Sequence, residues 1–82
     1  MKDASAIREH MEVIGADGGH IGTVDKVEGD RIKLTRDDRN AGGEHHWVQI
    51  AMADGVEGDK VRMSFVAELA PQFWEGEGQA QQ

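Results

Sequence analysis

Val27-Glu28-Gly29-Asp30-Arg31-Ile32-Lys33-Leu34-Thr35 returns later in the chain as Val56-Glu57-Gly58-Asp59-Lys60-Val61-Arg62-Met63-Ser64. The first four positions are identical, and the other five exchange like for like. Each copy reads as a β-hairpin tip. An apolar residue leads in, a Gly-Asp pair supplies turn geometry with φ > 0, and a strand follows. Successive side chains on a strand point to opposite faces, so Ile32 and Leu34 share one face and Arg31, Lys33 and Thr35 the other. Val61 and Met63 stand against Lys60 and Arg62 in the same way. Two like hairpins in one small sheet imply approximate two-fold internal symmetry, with Ile32, Leu34, Val61 and Met63 meeting in one core.

Upstream of the first copy, residues 11–15 read as a strand that alternates from Met11 to Val13, with Ile14 off the pattern at its end, and Ala16-Asp17-Gly18-Gly19 is a strong turn signal. Residues 20–28 carry Ile21, Val24 and Val27 at spacings that suit a helix face better than a flat strand. The surrounding glycines and β-branched residues decide for a strand, and a β-bulge near Gly22 or Asp25-Lys26 reconciles the two. Residues 3–9 suit a short helical turn capped by Asp3 or Ser5.

Downstream, residues 36–44 are polar or small and read as an exposed loop. Residues 45–51 read as a strand with Val48 and Ile50 inward, which leaves Trp47 partly covered at an edge. Ser64 is placed to cap a helix over residues 65–69, and Pro71 is expected to break it before a restart through residues 72–74. The last eight residues have no apolar anchor except Ala80 and read as a disordered tail. The expected organisation is therefore a single domain over residues 1–74 and a tail over 75–82.

The chain has 82 residues, a formal net charge of −7 and no cysteine. One small core is all that such a length supports. Disulfides, thiolate metal sites and thiol nucleophiles are excluded, which suits a reducing cytoplasm. No stretch has the length of a signal peptide's apolar run or of a membrane span. The nine basic residues are scattered among acids instead of clustered for phosphate binding. Nucleic acid and membrane are therefore not expected as partners, and a basic patch on a partner protein or a second copy of the chain is the better expectation.

These elements imply an all-β fold: a small, strongly bent or partly closed barrel of five to six short strands with a short C-terminal helix. Gly15-Ala16-Asp17-Gly18-Gly19-His20-Ile21-Gly22-Thr23-Val24-Asp25-Lys26-Val27 resembles the opening of PRC-barrel domains. Residues 4–74 as a whole resemble a family of small stand-alone bacterial proteins in the PRC-barrel group, a domain of unknown function. The matching features are His10-Met11-Glu12-Val13, the stretch from Thr23 to Thr35, and a polar loop ending in His45-His46. The resemblance implies a barrel with a bulged first hairpin and a docking or assembly role. It implies no catalytic residue.

Candidate sites are few. His20, His45 and His46 are the candidate metal ligands, with His10, Asp17 and Glu44 as possible companions. His45 and His46 are neighbours, so on a strand they face opposite ways and cannot share one ion by simple alternation. Satisfied histidines at strand starts are the competing explanation. No serine or histidine grouping suggests nucleophilic catalysis. Trp47, Phe65, Phe73 and Trp74 are the aromatic residues. Packing of the helix on the sheet accounts for most of them, while Trp74, Phe73 and Trp47 are the candidates for a partner-binding surface. The expected function is a non-enzymatic interaction or assembly module without a cofactor. The alternative is a small-ligand or metal-binding barrel that uses the histidines.

Overall fold

The two repeated phrases fold as two hairpins with the same local geometry. The computed structural model describes residues 4–38 and 41–76. In it, β2 (His20–Glu28) pairs with β3 (Arg31–Leu34), and β5 (Ala53–Glu57) pairs with β6 (Lys60–Met63). Gly29 and Gly58 both sit at φ 62°, and neither Asp30 nor Asp59 has positive φ. Positive φ at the first central residue alone is the pattern of a type II′ turn, which matches the right-handed twist of the flanking strands. A Cβ at either glycine would meet nothing within 4 Å, so backbone conformation and not space demands glycine there.

The likeness runs further back than the quoted phrases. Register shifts between Val24 and Lys26 in one hairpin and between Ala53 and Gly55 in the other. The extra residue is Asp25 in the first and Asp54 in the second, at matching positions. A second irregularity lies where β2 meets β1 (Glu12–Ile14): Val13 opposes Gly22 but Ile14 opposes His20, which leaves Ile21 as the extra residue. Both places proposed for a bulge are therefore bulged.

β4 (His46–Gln49) and β7 (Glu75–Gly76) complete a seven-stranded sheet in the order β5-β6-β1-β2-β3-β4-β7. Every pairing is antiparallel except β1 with β6. Two expectations are corrected here. The sheet does not close into a barrel, because among the described residues β5 pairs only with β6 and β7 only with β4, so no ladder joins the ends. Among the described residues the strand count is seven and not five or six. The added strand lies in the stretch read as tail: Glu75 and Gly76 have no apolar signal, yet their backbone pairs with Trp47 and His46. The remainder of that tail, residues 77–82, lies outside the described residues.

Ile32, Leu34, Val61 and Met63 do share one core, none of them more than 2% exposed. Val13, Val24 and Val48 are fully buried among them. Each such aliphatic side chain contributes about 1.5–3 kcal/mol by leaving water. Trp47, on the opposite face of β4 from Val48, is also buried at 8% exposure. Lys33 stands directly across the ladder from it, with Nζ 5.6 Å from the ring centroid. The indole Nε1–H donates to Glu28 Oε1 at 2.7 Å.

The C-terminal region starts later than expected. A 3₁₀ turn over Ala67–Leu69 leads directly into α1 (Ala70–Phe73). Pro71 occupies the first turn of α1, where its missing N–H is not needed, so it opens the helix instead of breaking one. Ser64 caps nothing; its N–H donates to Met52 O at 2.8 Å and extends the sheet contacts of β6. Among the described residues, no helix is long and apolar enough to cross a membrane.

Candidate functional site

The two chemically distinctive places lie side by side: an ionic cluster at the start of β2, and the C-terminal turn that packs beside it. The bulge at Ile21 makes the first. Without the extra residue, Ile21 would oppose Ile14. With it, Ile21 is free to be buried, and His20 comes round to the face that carries Glu12 and Thr23, a directly opposed pair. His20 Nδ1 lies 2.8 Å from Glu12 Oε2, and Nε2 lies 2.7 Å from Asp38 Oδ2. Thr23 Oγ1 donates to the same Asp38 oxygen at 3.0 Å. Lys60, on β6, forms an ion pair with the other oxygen of Glu12. One face of three strands and the loop after β3 are thus tied through a single imidazole.

A neutral imidazole donates from one nitrogen only. Carboxylates at both nitrogens therefore favour the doubly protonated, charged ring. Burial, the largest influence on His20, works against that charge, but the hydrogen bonds it donates to Glu12 and Asp38 outweigh it and raise the pKa above the ordinary histidine value. Glu12 is held below the usual carboxylate range by Lys60 first and His20 second. Asp38, whose side chain is 7% exposed, is the most deeply set acid of the group.

In this state His20 has no lone pair for a metal or for a substrate proton. His45 and His46 are engaged elsewhere. His45 Nδ1 lies 3.0 Å from Leu34 O, and His46 Nε2 lies 3.0 Å from Ala41 O. Each of these nitrogens faces a carbonyl acceptor and so carries its proton. His46 Nδ1 is buried without a hydrogen-bond partner, beneath Trp74, whose ring stacks on the imidazole at 4.1 Å and 12°. Among the described residues no three His, Asp or Glu side chains are placed to hold a metal ion together. His10 is exposed, in a left-handed conformation at φ 72°. Asp17 takes a structural post: its Oδ1 accepts from the N–H groups of Gly19 at 3.1 Å and Ala67 at 3.2 Å. Those two donors, in that order, hold its carboxyl below the usual range.

The Asp17 contact shows why the glycines around it matter. A Cβ at Gly15 would come within 2.4 Å of Ala67 N, and one at Gly19 within 2.7 Å of Ala67 Cβ. The Gly-rich turn before β2 is thus a seat for the C-terminal turn, a close backbone approach that a side chain would block. Once seated, that turn and β2 bound a cleft of about 250 Å³ lined by His20, Ile21, Ala67, Glu68, Pro71 and Trp74, with Ala70 beneath.

Of the expected partner-binding residues, Phe73 is 36% exposed and stacks on Phe65 with ring centroids 4.7 Å apart. Leu69, one helical turn earlier, is 38% exposed. Trp74 is half-buried between His46 and the cleft. Trp47 is buried under Lys33 and Glu28, on the outer face of β4. The structure therefore brings Phe73 and Trp74 together with Leu69 and Glu68, and sets Trp47 apart from them. Glu68 has no sequence signal of its own, since one acid among many on an acidic chain looks like any other.

Residues 7–70 match the model of the family described as "Uncharacterized protein conserved in bacteria (DUF2171)". The chain belongs to that family. Its matched span takes in both hairpins, every residue of the His20 cluster and the first residue of α1, and it stops just short of Phe73 and Trp74. No curated protein and no solved structure matches this family member.

Proposed function

We propose that this chain is a non-enzymatic protein-interaction module that meets its partner through the end of α1. The observation that carries the reading is the pair Leu69 and Phe73, two large apolar side chains exposed one turn apart beside an aromatic-walled cleft. Contiguous apolar surface rimmed by polar groups is what protein interfaces use at their centres. His20, His45 and His46 are already engaged by carboxylates and carbonyls, which favours a binding role over a metal-dependent one. The net charge of −7 favours a basic partner. Kinship with PRC-barrel domains, suggested by residues 15–27, belongs to the same reading, since it implies a docking role on a bent sheet. A cytoplasmic setting fits a chain without cysteine.

A test is selection of peptides from a displayed random library against the folded protein, followed by mapping with ¹⁵N-resolved NMR. The expected result is enrichment of sequences that combine Lys or Arg with an apolar anchor, with shifts centred on Leu69 and Phe73. The same peptides should lose binding to the Leu69→Ser, Phe73→Ser double variant. No enrichment, or shifts that map away from α1, would overturn the reading.

A further inference from the structure

Resting on the reading of the α1 end as the contact face, we propose that the cleft beside it receives the guanidinium side chain of an arginine from the partner protein. Three observations converge. The first is size. At about 250 Å³ the cleft is smaller than the roughly 300–1,000 Å³ of sites built for whole small molecules, and suits one long side chain. The second is the aromatic wall. Trp74 lines the cleft, and its ring is held in place by the His46 imidazole stacked on it at 4.1 Å. Tryptophan is the best of the aromatic rings for holding a cation, and arginine the commoner cation to stack on it.

The third observation is charge. Glu68 lines the cleft, and its carboxylate makes no ion pair among the described residues. His20 also lines the cleft, and Glu12 and Asp38 already hold both of its ring nitrogens. The cleft therefore offers an incoming anion no uncompensated positive charge, while Glu68 offers a planar cation a fork-shaped acceptor. The aliphatic stem of an arginine would lie against Ile21, Ala67 and Pro71, in the way such side chains cover apolar surface while their heads stay polar.

The test uses the whole chain and two small probes, N-acetyl-arginine methylamide and its neutral isostere N-acetyl-citrulline methylamide. Followed by ¹⁵N-resolved NMR, the arginine probe is expected to shift the Trp74 indole N–H and the Ala67 and Glu68 amides in a saturable way at millimolar concentration. The citrulline probe should not. Glu68→Gln should weaken arginine binding by roughly threefold, the scale of an exposed ion pair, and Trp74→Leu by roughly fivefold, the scale of a cation–π contact. Glu68 is exposed, so its variant keeps the test sound even if Trp74→Leu disturbs the stack on His46. Equal shifts from citrulline, shifts outside the cleft, or an unchanged affinity in Glu68→Gln would each overturn the proposal. If selected peptides engage Leu69 and Phe73 while the arginine probe leaves the cleft unmoved, the cleft proposal fails and the interaction module stands. If no peptide engages α1, the module reading fails whatever the probe does.

Discussion

Hairpin β2–β3 and hairpin β5–β6 share a turn, a register and a bulged aspartate, yet they live in different surroundings. The first lies inside the sheet, flanked by β1 and β4. The second lies at its end, with β5 outermost. Even the contact just past each turn is matched: Asp30 O accepts from Ile50 N–H at 2.9 Å, and Asp59 O accepts from Glu12 N–H at 3.3 Å. The side chains then diverge. Glu28 accepts from the buried Trp47, whereas its counterpart Glu57 is gripped by Arg62 through two bonds of 2.7 and 3.0 Å on the surface. The same local chemistry makes the same hairpin twice, and the neighbours decide what each one is used for.

The comparison can be broken most severely in the core. Leu34→Ala and Met63→Ala alter matching positions, both almost fully buried. Each should cost about 2–5 kcal/mol in urea unfolding, and similar losses would show that both hairpins anchor one cooperative core. A loss confined to Leu34→Ala would show that the edge hairpin opens separately. Next in size come Gly29→Ala and Gly58→Ala. Both positions need positive φ and have open space around them, so each should cost about 1–2 kcal/mol. Equal costs at the two turns would mark the penalty as local backbone conformation.

A pH experiment sharpens the difference, because only the first hairpin carries the charged imidazole. The folded pKa of His20 is raised above its unfolded value, which is near 6.5. Its contribution to stability is therefore fully present below that unfolded value and is lost as pH rises through the folded one. Urea midpoints should fall as pH climbs above about 6.5, and His20→Gln should flatten that fall. A midpoint that ignores pH in the native chain, or a slope that survives His20→Gln, would count against the cluster. The smallest effect is expected at Arg31, paired at 3.4 Å with Glu75 of β7. Arg31→Ala should speed hydrogen exchange where β4 meets β7 and leave the global urea midpoint nearly unchanged.

Both hairpins and the four central core residues follow from the alternation and the Gly-Asp turns, because those signals are local and the core is built from them. The features that escaped are set by tertiary contact. Glu75 and Gly76 form a strand only because β4 offers them a backbone to pair with. Pro71 was legible as a helix disturbance but not as a helix start, since that depends on where Ala67 is seated by Gly15, Gly19 and Asp17. Trp47, expected to be partly covered at an edge, is buried because Lys33 and Glu28 close over it. His20 stood out only as a possible ligand, since its carboxylate partners are distant in sequence and a bulge turns it towards them. The cleft could not be read at all, because it exists only where β2 and the C-terminal turn meet.

The one parallel pairing, of β1 with β6, has a kinetic consequence. Both hairpins close over short loops and can form early and independently. Joining Val13 to Val61 instead requires the chain to bring together segments from opposite ends, with the loop-closure entropy that such a separation carries. That junction is the step expected to limit the rate of folding. Because the hairpins are formed before that step, mutations at their turns should slow refolding and leave the rate of unfolding nearly unchanged, and mutations at the β1–β6 seam should slow refolding as far as the seam is formed when the step is crossed.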